Sequence, residues 1–297
     1  LVFVLLVGFG RALRRATRWL SGQLTRVLGP QAAKASAVLV VSVLTFLILS
    51  GLVFDNGMKA VDSSFALGDV QISSTAKPPA SEFRSGSEAS IVKWEGLGRQ
   101  GRRFVGRGPT GAQIAEFTGR PALEPIRAYA GTANAEEVED RAALAVDDLV
   151  RAGGFERSNL MVSGSTGSGF IEPSASNSFE YLTGGDSAIV SIQYSHLPSW
   201  ASFVVDQTAA RNAGRALFDE VYERWLKLPV DSRPKLYIFG ESLGSFAMET
   251  AFSGEADLRN RTSGALFVGP PNFNELYSEF RANRAAGSRE IEPVFRN

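Results

Sequence analysis

A strand-like run that leads directly into a Gly-x-Ser-x-Gly pentapeptide constrains the fold of this chain more than any other feature. Residues 235–244 read Lys-Leu-Tyr-Ile-Phe-Gly-Glu-Ser-Leu-Gly, and good helix formers follow them. Because Gly240 and Gly244 have no side chain, the backbone can turn sharply from strand into helix with Ser242 at the tip. The pattern predicts a nucleophile elbow in which Glu241 precedes the catalytic hydroxyl of Ser242. A strand-to-helix turn with a purely structural role is the alternative.

Short apolar runs alternate with helical periods from Pro125 onward. The strand-like runs lie at 126–130, 160–163, 187–194, 236–239 and 264–268. The helical periods lie at 138–149, 176–182, 210–228 and 245–252. Alternation of this kind is typical of a parallel sheet that is covered by helices. We therefore predict an α/β fold with a mostly parallel sheet and helices on both faces.

An uncharged segment lies near the beginning of the chain. Residues 35–54 contain no charged side chain, and twenty such residues are long enough to cross a bilayer as a helix. A signal peptide is the alternative, but the segment is too long, lies far from the start and lacks a small-residue cleavage site. Residues 1–8 resemble the end of an earlier apolar span, so we expect further helices upstream and a multi-pass protein of the cell membrane.

The loop predicted at 9–34 carries basic side chains and no acidic ones. These are Arg11, Arg14, Arg15, Arg18, Arg26 and Lys34. This asymmetry is typical of the cytoplasmic side, so we expect the polypeptide after Phe54 to be extracytoplasmic. Leucines and Trp19 recur among the arginines at roughly helical spacing, which favours either an amphipathic helix against the lipid bilayer or a solvated basic linker.

Amino-acid composition divides the region after the apolar segment into a linker and a domain. Residues 55–90 are rich in Gly, Ser, Asp and Pro without sustained periodicity, which is typical of a linker. We predict that 1–54 is the end of an N-terminal transmembrane domain and that 91–297 is a catalytic domain, truncated at its C-terminus.

Charge and cysteine content exclude several classes of function. The chain has 31 basic and 31 acidic side chains, so we expect no nucleic-acid partner. It has no cysteine, which excludes disulfides, thiolate metal sites and a cysteine nucleophile. We expect neither a metal nor a cofactor.

A serine that attacks an acyl group needs hydrogen-bond donors for the negative oxygen that forms. One donor is expected from the N–H of Leu243, the residue after the nucleophile. The Gly-Ser-Thr-Gly-Ser-Gly loop at 164–169 follows a predicted strand, and the backbone at Thr166, Gly167 and Ser168 is the candidate for the second donor. A flexible loop and a phosphate-binding loop are the alternatives, although the glycine spacing fits no dinucleotide or P-loop motif.

The chain contains a single histidine, His196, which is a tempting general base. In α/β-hydrolases the base follows the nucleophile along the chain, whereas His196 precedes Ser242. We therefore predict a role for His196 in packing or at the rim of the site. The catalytic base and acid are then expected beyond Asn297, and residues 1–297 alone are expected to be inactive.

Several short motifs occur in a defined order along the chain. They lie at 101–105, 108–110, 125–127, 166–169, 193–200, 240–244 and 269–271. In these motifs the chain resembles the actinobacterial membrane-anchored α/β-hydrolase family. The resemblance implies an α/β-hydrolase fold preceded by transmembrane helices, with Ser242 as nucleophile. Two features depart from the family: His196 replaces a tyrosine in its Tyr-Ser-Tyr-Leu-Pro-Ser-Trp run, and its histidine-containing C-terminal segment is absent.

These observations predict a membrane-anchored serine hydrolase that acts on an acyl ester or a lipid-like substrate, as an esterase or lipase does. An acyltransferase that forms the same acyl-enzyme is one alternative. The other is a membrane scaffold that retains the fold as a binding domain, because a fold does not establish chemistry.

Overall fold

The computed structural model of the chain describes residues 2–46, 69, 77–197, 202, 207–289 and 291–295. The chain forms two compact units, Leu1–Val61 and Asp62–Asn297. Most of the predicted linker before residue 77 lies outside the described residues, with the exception of Asp69.

Two helices form the described part of the first unit. Helix α1 spans Val2–Leu24, and helix α2 covers residues 30–46. The arginine-rich segment is therefore helical as far as Leu24, as the amphipathic alternative requires, and its contact with lipid stays a prediction. The predicted span 35–54 coincides with α2 up to residue 46, and its remainder lies outside the described residues. Within the described part of the chain, no helix combines the length and the apolar character that crossing a bilayer requires.

Five strands form the central sheet of the second unit. They are β1 Ile126–Ala130, β2 Asn159–Gly164, β3 Ser187–Ile192, β4 Lys235–Glu241 and β5 Gly264–Val268. Their order is β1-β3-β2-β4-β5, and every neighbouring pair is parallel. This confirms the predicted parallel sheet. Short runs rich in Val, Ile and Leu favour strands, and β1 to β4 are mostly buried whereas β5 is largely exposed.

Eight helices of the second unit lie within the described residues. They are α3 Gly98–Arg107, α4 Gly111–Thr118, α5 Val138–Arg151, α6 Pro173–Leu182, α7 Gln207–Leu226, α8 Leu243–Glu249, α9 Glu255–Arg261 and α10 Glu275–Ala282. Helices α5 to α8 correspond to the four helical periods of the sequence. Helices α3, α4, α9 and α10 are not among the predictions.

Both faces of the sheet are covered by apolar side chains. On one face, Leu160 and Val162 belong to a buried cluster with residues of α5 and α7. On the opposite face, Tyr129 and Met161 pack with Phe104 of α3 and its neighbours. Successive strand residues point to opposite faces, so one strand contributes to both clusters. This confirms the prediction of helices on both faces.

Part of the predicted linker is packed into the second unit. The guanidinium group of buried Arg84 donates hydrogen bonds to the carbonyl oxygens of Val105 at 3.0 Å and Pro109 at 2.7 Å. The hydroxyl of Ser85 lies 2.5 Å from the carboxylate of Asp148 and donates to it. The ordered unit therefore begins before the predicted boundary at residue 91, because these polar side chains find buried partners.

Candidate active site

The carboxyl ends of the parallel strands meet at one edge of the sheet, which is where ligands bind in open α/β sheets. The glycine-rich loop 164–169 begins at the end of β2, and the elbow 240–244 begins at the end of β4. Strands β2 and β4 are adjacent, with Gly164 paired to Gly240. The fold therefore brings the two predicted site segments side by side, although about 75 residues separate them along the chain.

Ser242 has an unusual backbone conformation at the tip of the elbow. Its φ is 52° and its ψ is −119°, and it is the only non-glycine residue with positive φ among the described residues. Such a conformation costs on the order of 1–3 kcal/mol. The Ser242 N–H donates to the carbonyl oxygen of Val268 at 2.8 Å, and the Ser242 carbonyl accepts from the hydroxyl of Ser245 at 2.6 Å. These bonds hold the predicted strand-turn-helix arrangement, and the role of the Ser242 hydroxyl stays a prediction.

Glycines allow the elbow and the glycine-rich loop to touch through their backbones. A Cβ atom on Gly240 would overlap the carbonyl oxygen of Gly244, and one on Gly244 would overlap the carbonyl oxygen of Gly164. A Cβ atom on Gly164 would in turn overlap the carbonyl oxygen of Gly244. No larger residue fits at these positions without moving the backbone. The spacing of the motif is therefore a packing requirement as well as a turn requirement.

The amide groups of the candidate oxyanion donors differ in their availability. Leu243 is the first residue of α8, so its N–H has no carbonyl partner within the helix. In the glycine-rich loop, the Thr166 N–H donates to Phe170 at 3.0 Å, whereas no described residue accepts a hydrogen bond from the amides of Gly167 and Ser168. Among the three loop candidates, the Thr166 amide is occupied, and the role of the Gly167 and Ser168 amides as oxyanion donors stays a prediction.

Two carboxylates influence the environment of the elbow. Burial raises the pKa of Glu241, and the negative charge of Glu172 raises it further. Glu172 lies at the start of α6, a few residues after the glycine-rich loop. A ligand that places a negative charge beside Glu241 would meet the same repulsion. Glu241 and Glu172 are therefore close enough for their negative charges to interact at the elbow.

The imidazole of His196 contacts two groups beyond the ends of β1 and β3. Its Nε2 lies 3.3 Å from the hydroxyl of Thr132, and its Nδ1 lies 3.4 Å from the carboxylate of Asp69. Burial raises the pKa of Asp69, but hydrogen bonds from His196, Gln193 and the Arg99 N–H outweigh it and leave the pKa lowered. Asp69 is therefore a stable carboxylate partner for the imidazole.

The imidazole of His196 makes its contact with Thr132 on the β1 side of the sheet edge. Strand β3, which precedes His196, is separated from β4 by β2. Two strand spacings amount to about 10 Å, and the contact with Thr132 directs the imidazole toward β1 rather than β4. A general base has to lie within about 3.2 Å of the hydroxyl, or to act through one water. The arrangement agrees with the predicted packing or rim role of His196.

Comparison with known families agrees with this geometry. Residues 126–297, which are more than half of the chain, match a family described as the alpha/beta-hydrolase family. The chain belongs to the alpha/beta-hydrolase family. Residues 1–109 match the N-terminal region described for the same family. No curated protein and no solved structure is significantly similar to the chain.

Membership of the alpha/beta-hydrolase family indicates a hydrolase-like function and agrees with the parallel α/β sheet. The match carries no information about an actinobacterial source or about a membrane. It includes β1 to β5 and therefore both the glycine-rich loop and the elbow.

Asp69 is the residue near this edge that the sequence does not reveal. It lies within the predicted linker, yet its carboxylate accepts hydrogen bonds from the Arg99 N–H at 2.7 Å and the Gln193 side chain at 2.8 Å. A lone aspartate in a stretch without periodicity is read as solvated, so no local signal identifies it. Only the tertiary structure places it against His196.

Proposed function

We propose that this protein is a serine hydrolase that cleaves an acyl ester with Ser242 as nucleophile. One observation carries the proposal: a serine in a strained, positive-φ conformation between a buried strand and the helix that follows it. Strain of this kind persists only where the surrounding structure enforces it, and it is concentrated at functional sites. In an alpha/beta-hydrolase, the residue at this position of the elbow presents its hydroxyl to the substrate.

The proposed reaction proceeds through an acyl-enzyme. The Ser242 Oγ attacks the carbonyl carbon of the ester and loses its proton to a base, and the carbonyl oxygen becomes negative. The amide of Leu243 and those of Gly167 and Ser168 are the proposed donors to this oxygen. The tetrahedral intermediate collapses, the alcohol leaves with a proton, and water then releases the acid from the serine. Because the imidazole of His196 contacts Thr132 and Asp69, we propose that the base is a different residue.

Reaction with a fluorophosphonate probe tests the nucleophile. We expect the protein, expressed from its complete coding sequence, to form a covalent adduct that mass spectrometry locates on Ser242. The Ser242→Ala variant should lose the adduct, and Ser253→Ala, which changes an exposed serine, should keep it. Labelling of Ser242→Ala at the wild-type level would exclude Ser242 as the nucleophile. Addition of an acceptor alcohol during turnover distinguishes hydrolysis from acyl transfer by the product that forms.

A binding domain without catalysis is the second candidate, and the position of His196 favours it. The only histidine of the chain contacts Thr132 and Asp69 instead of the elbow. If no serine is labelled in the complete protein while the fold is intact, this second candidate replaces the first.

We also propose that the protein is anchored in the cell membrane and acts on a lipid-like ester outside the cytoplasm. The uncharged segment 35–54 and the acid-free, arginine-rich segment before it support this placement. A reporter fused after exposed Lys77 tests it. Alkaline phosphatase should be active at that junction, and activity of β-galactosidase there instead would contradict the proposed topology.

A further inference from the structure

A basic pocket lies between α3 and α6, apart from the elbow. It has a volume of about 270 Å³. Its apolar lining includes Phe104 and Ile171, and its polar lining comes from Gln100, Arg103, Arg107, Arg127, Ser176 and Asn177. No carboxylate lines it, although acidic and basic side chains are equally numerous in the chain. The pocket therefore has a concentrated positive charge.

The spacing of residues in α3 directs its basic side chains to one wall. Gln100, Arg103 and Arg107 follow each other at intervals of three and four residues, which places them on one face of the helix. Neither Arg103 nor Arg107 forms an ion pair or side-chain hydrogen bond with any described residue. Both side chains are exposed at the mouth of the pocket. Two guanidinium groups are thus available to a ligand.

The third arginine of the pocket has a structural role. Arg127 is buried and forms two hydrogen bonds with the carboxylate of Glu180, at 2.7 and 2.6 Å. It also donates to the carbonyl oxygen of Phe104 and to the Oδ1 of Asn177. The charge of Arg127 is therefore neutralised. Because the Asn177 oxygen is occupied, its NH₂ group is the part that remains for a ligand.

The walls of the pocket are held in place. A Cβ atom on Gly101 would overlap the ring of Tyr129, and one on Gly108 would overlap the guanidinium group of Arg127. Helix α3 therefore packs directly on β1, and little rearrangement is needed before a ligand binds. The opposite wall is formed by Phe170, Ile171 and Pro173, in the segment that follows the glycine-rich loop.

We propose that this pocket binds a phosphate group. Two unpaired guanidinium groups match the two negative charges of a phosphate monoester, and their planar forks suit its oxygens. The amide groups of Gln100 and Asn177 supply neutral donors, and the wall of Phe104 and Ile171 can contact an attached hydrocarbon. The phosphate can be free or carried by a lipid, and binding measurements separate the two. The proposal does not depend on the chemistry of Ser242.

Calorimetric titration of the purified chain at low ionic strength tests the pocket. The ligands are inorganic phosphate and dihexanoyl phosphatidic acid below its micelle concentration. We expect saturable binding that weakens as salt is added, because exposed charges are screened. Tighter binding of the phosphatidic acid would assign a lipid phosphate, and equal binding would assign the phosphate group alone.

Matched variants locate the binding. The double variant Arg103→Gln/Arg107→Gln should weaken it by about tenfold or more, since charged hydrogen bonds are lost. Arg99→Gln removes the same charge from a position of α3 outside the pocket and should leave binding unchanged. The double variant Arg103→Lys/Arg107→Lys should keep part of the binding, because lysine retains the positive charge but lacks the planar guanidinium group.

The same experiment can overturn the proposal. Absence of saturable binding of both ligands to the folded chain would do so, and so would equal weakening by Arg99→Gln and by the double glutamine variant. Ser242→Ala should bind phosphate as the wild type does, so failure of the proposed reaction and failure of this site are distinguishable. Unchanged circular dichroism and thermal unfolding exclude misfolding, because both arginines are exposed.

Discussion

At the scale of single residues, Ser242 combines local strain with a defined environment. Its positive φ is held by the hydrogen bond to Val268 in the adjacent strand and by the Ser245 hydroxyl. Packing of the surrounding sheet and helix offsets the free-energy cost of this backbone conformation. A serine kept at such a cost supports the proposed role of its side chain.

A glycine at this position should be more stable than the native serine. We expect Ser242→Gly to raise the free energy of unfolding by about 1 kcal/mol, because glycine adopts positive φ without steric cost. Ser242→Ala should not, because alanine keeps the Cβ atom and its strain. Denaturant unfolding of the three proteins measures the difference. A Ser242→Gly protein that is less stable than Ser242→Ala would show that the conformation is not strained.

At the scale of elements, close packing of the helix after the elbow fixes its direction. Gly214 of α7 lies against Ala247 of α8, and a Cβ atom on Gly214 would overlap the Ala247 carbonyl oxygen. Helix α8 is short and almost entirely buried, so its position depends on this contact and on its packing against β4. The orientation of α8 in turn determines where the Leu243 amide lies.

Two glycine-to-alanine changes in helices should have opposite effects. Gly214→Ala should lower the free energy of unfolding by about 1–3 kcal/mol, because the added methyl group overlaps backbone. Gly106→Ala in α3 meets no atom within 4 Å and should raise it by about 0.5–1 kcal/mol through helix propensity. Thermal and denaturant unfolding compare the two. Effects of the same sign would contradict the packing described for α7 and α8.

At the scale of the whole molecule, buried polar contacts attach distant segments to the sheet. The Asp69 carboxylate binds the side chain of Gln193, 124 residues away, and Ser85 binds Asp148 across 63 residues. Both belong to the region predicted as a linker. These contacts attach Asp69 and Ser85 to the second unit.

The stabilisation that Asp69 contributes to the folded protein should decrease as the pH falls. Its folded-state pKa is lowered, so the stabilisation is complete above its unfolded pKa near 4 and is lost as pH falls through the folded value. We expect Asp69→Asn to cost about 1–3 kcal/mol at pH 7. The difference from wild type should shrink below about pH 4. Exposed Asp231→Asn is the matched control in denaturant unfolding, and a difference that grows toward low pH would refute the assignment.

Local rules account for what the sequence by itself determined. The apolar runs at 126–130 and 264–268 become β1 and β5 with the predicted bounds, and the elbow forms where two glycines flank Ser242. Strand propensity, helical period and glycine spacing act over a few residues, so one sequence is enough to read them.

Only the tertiary structure decided which polar groups that are distant along the chain form hydrogen bonds with each other. Asp69, Arg84 and Ser85 lie in a stretch whose composition predicts a solvent-exposed linker. They are buried because they hydrogen-bond with partners that are 21 to 124 residues away along the chain. The Thr166 amide is occupied by a turn within its own loop, and His196 contacts Thr132 rather than Ser242. A polar side chain carries no local signal of its partner. Which donor meets which acceptor therefore depends on strand order and packing, and these exist only in the folded chain.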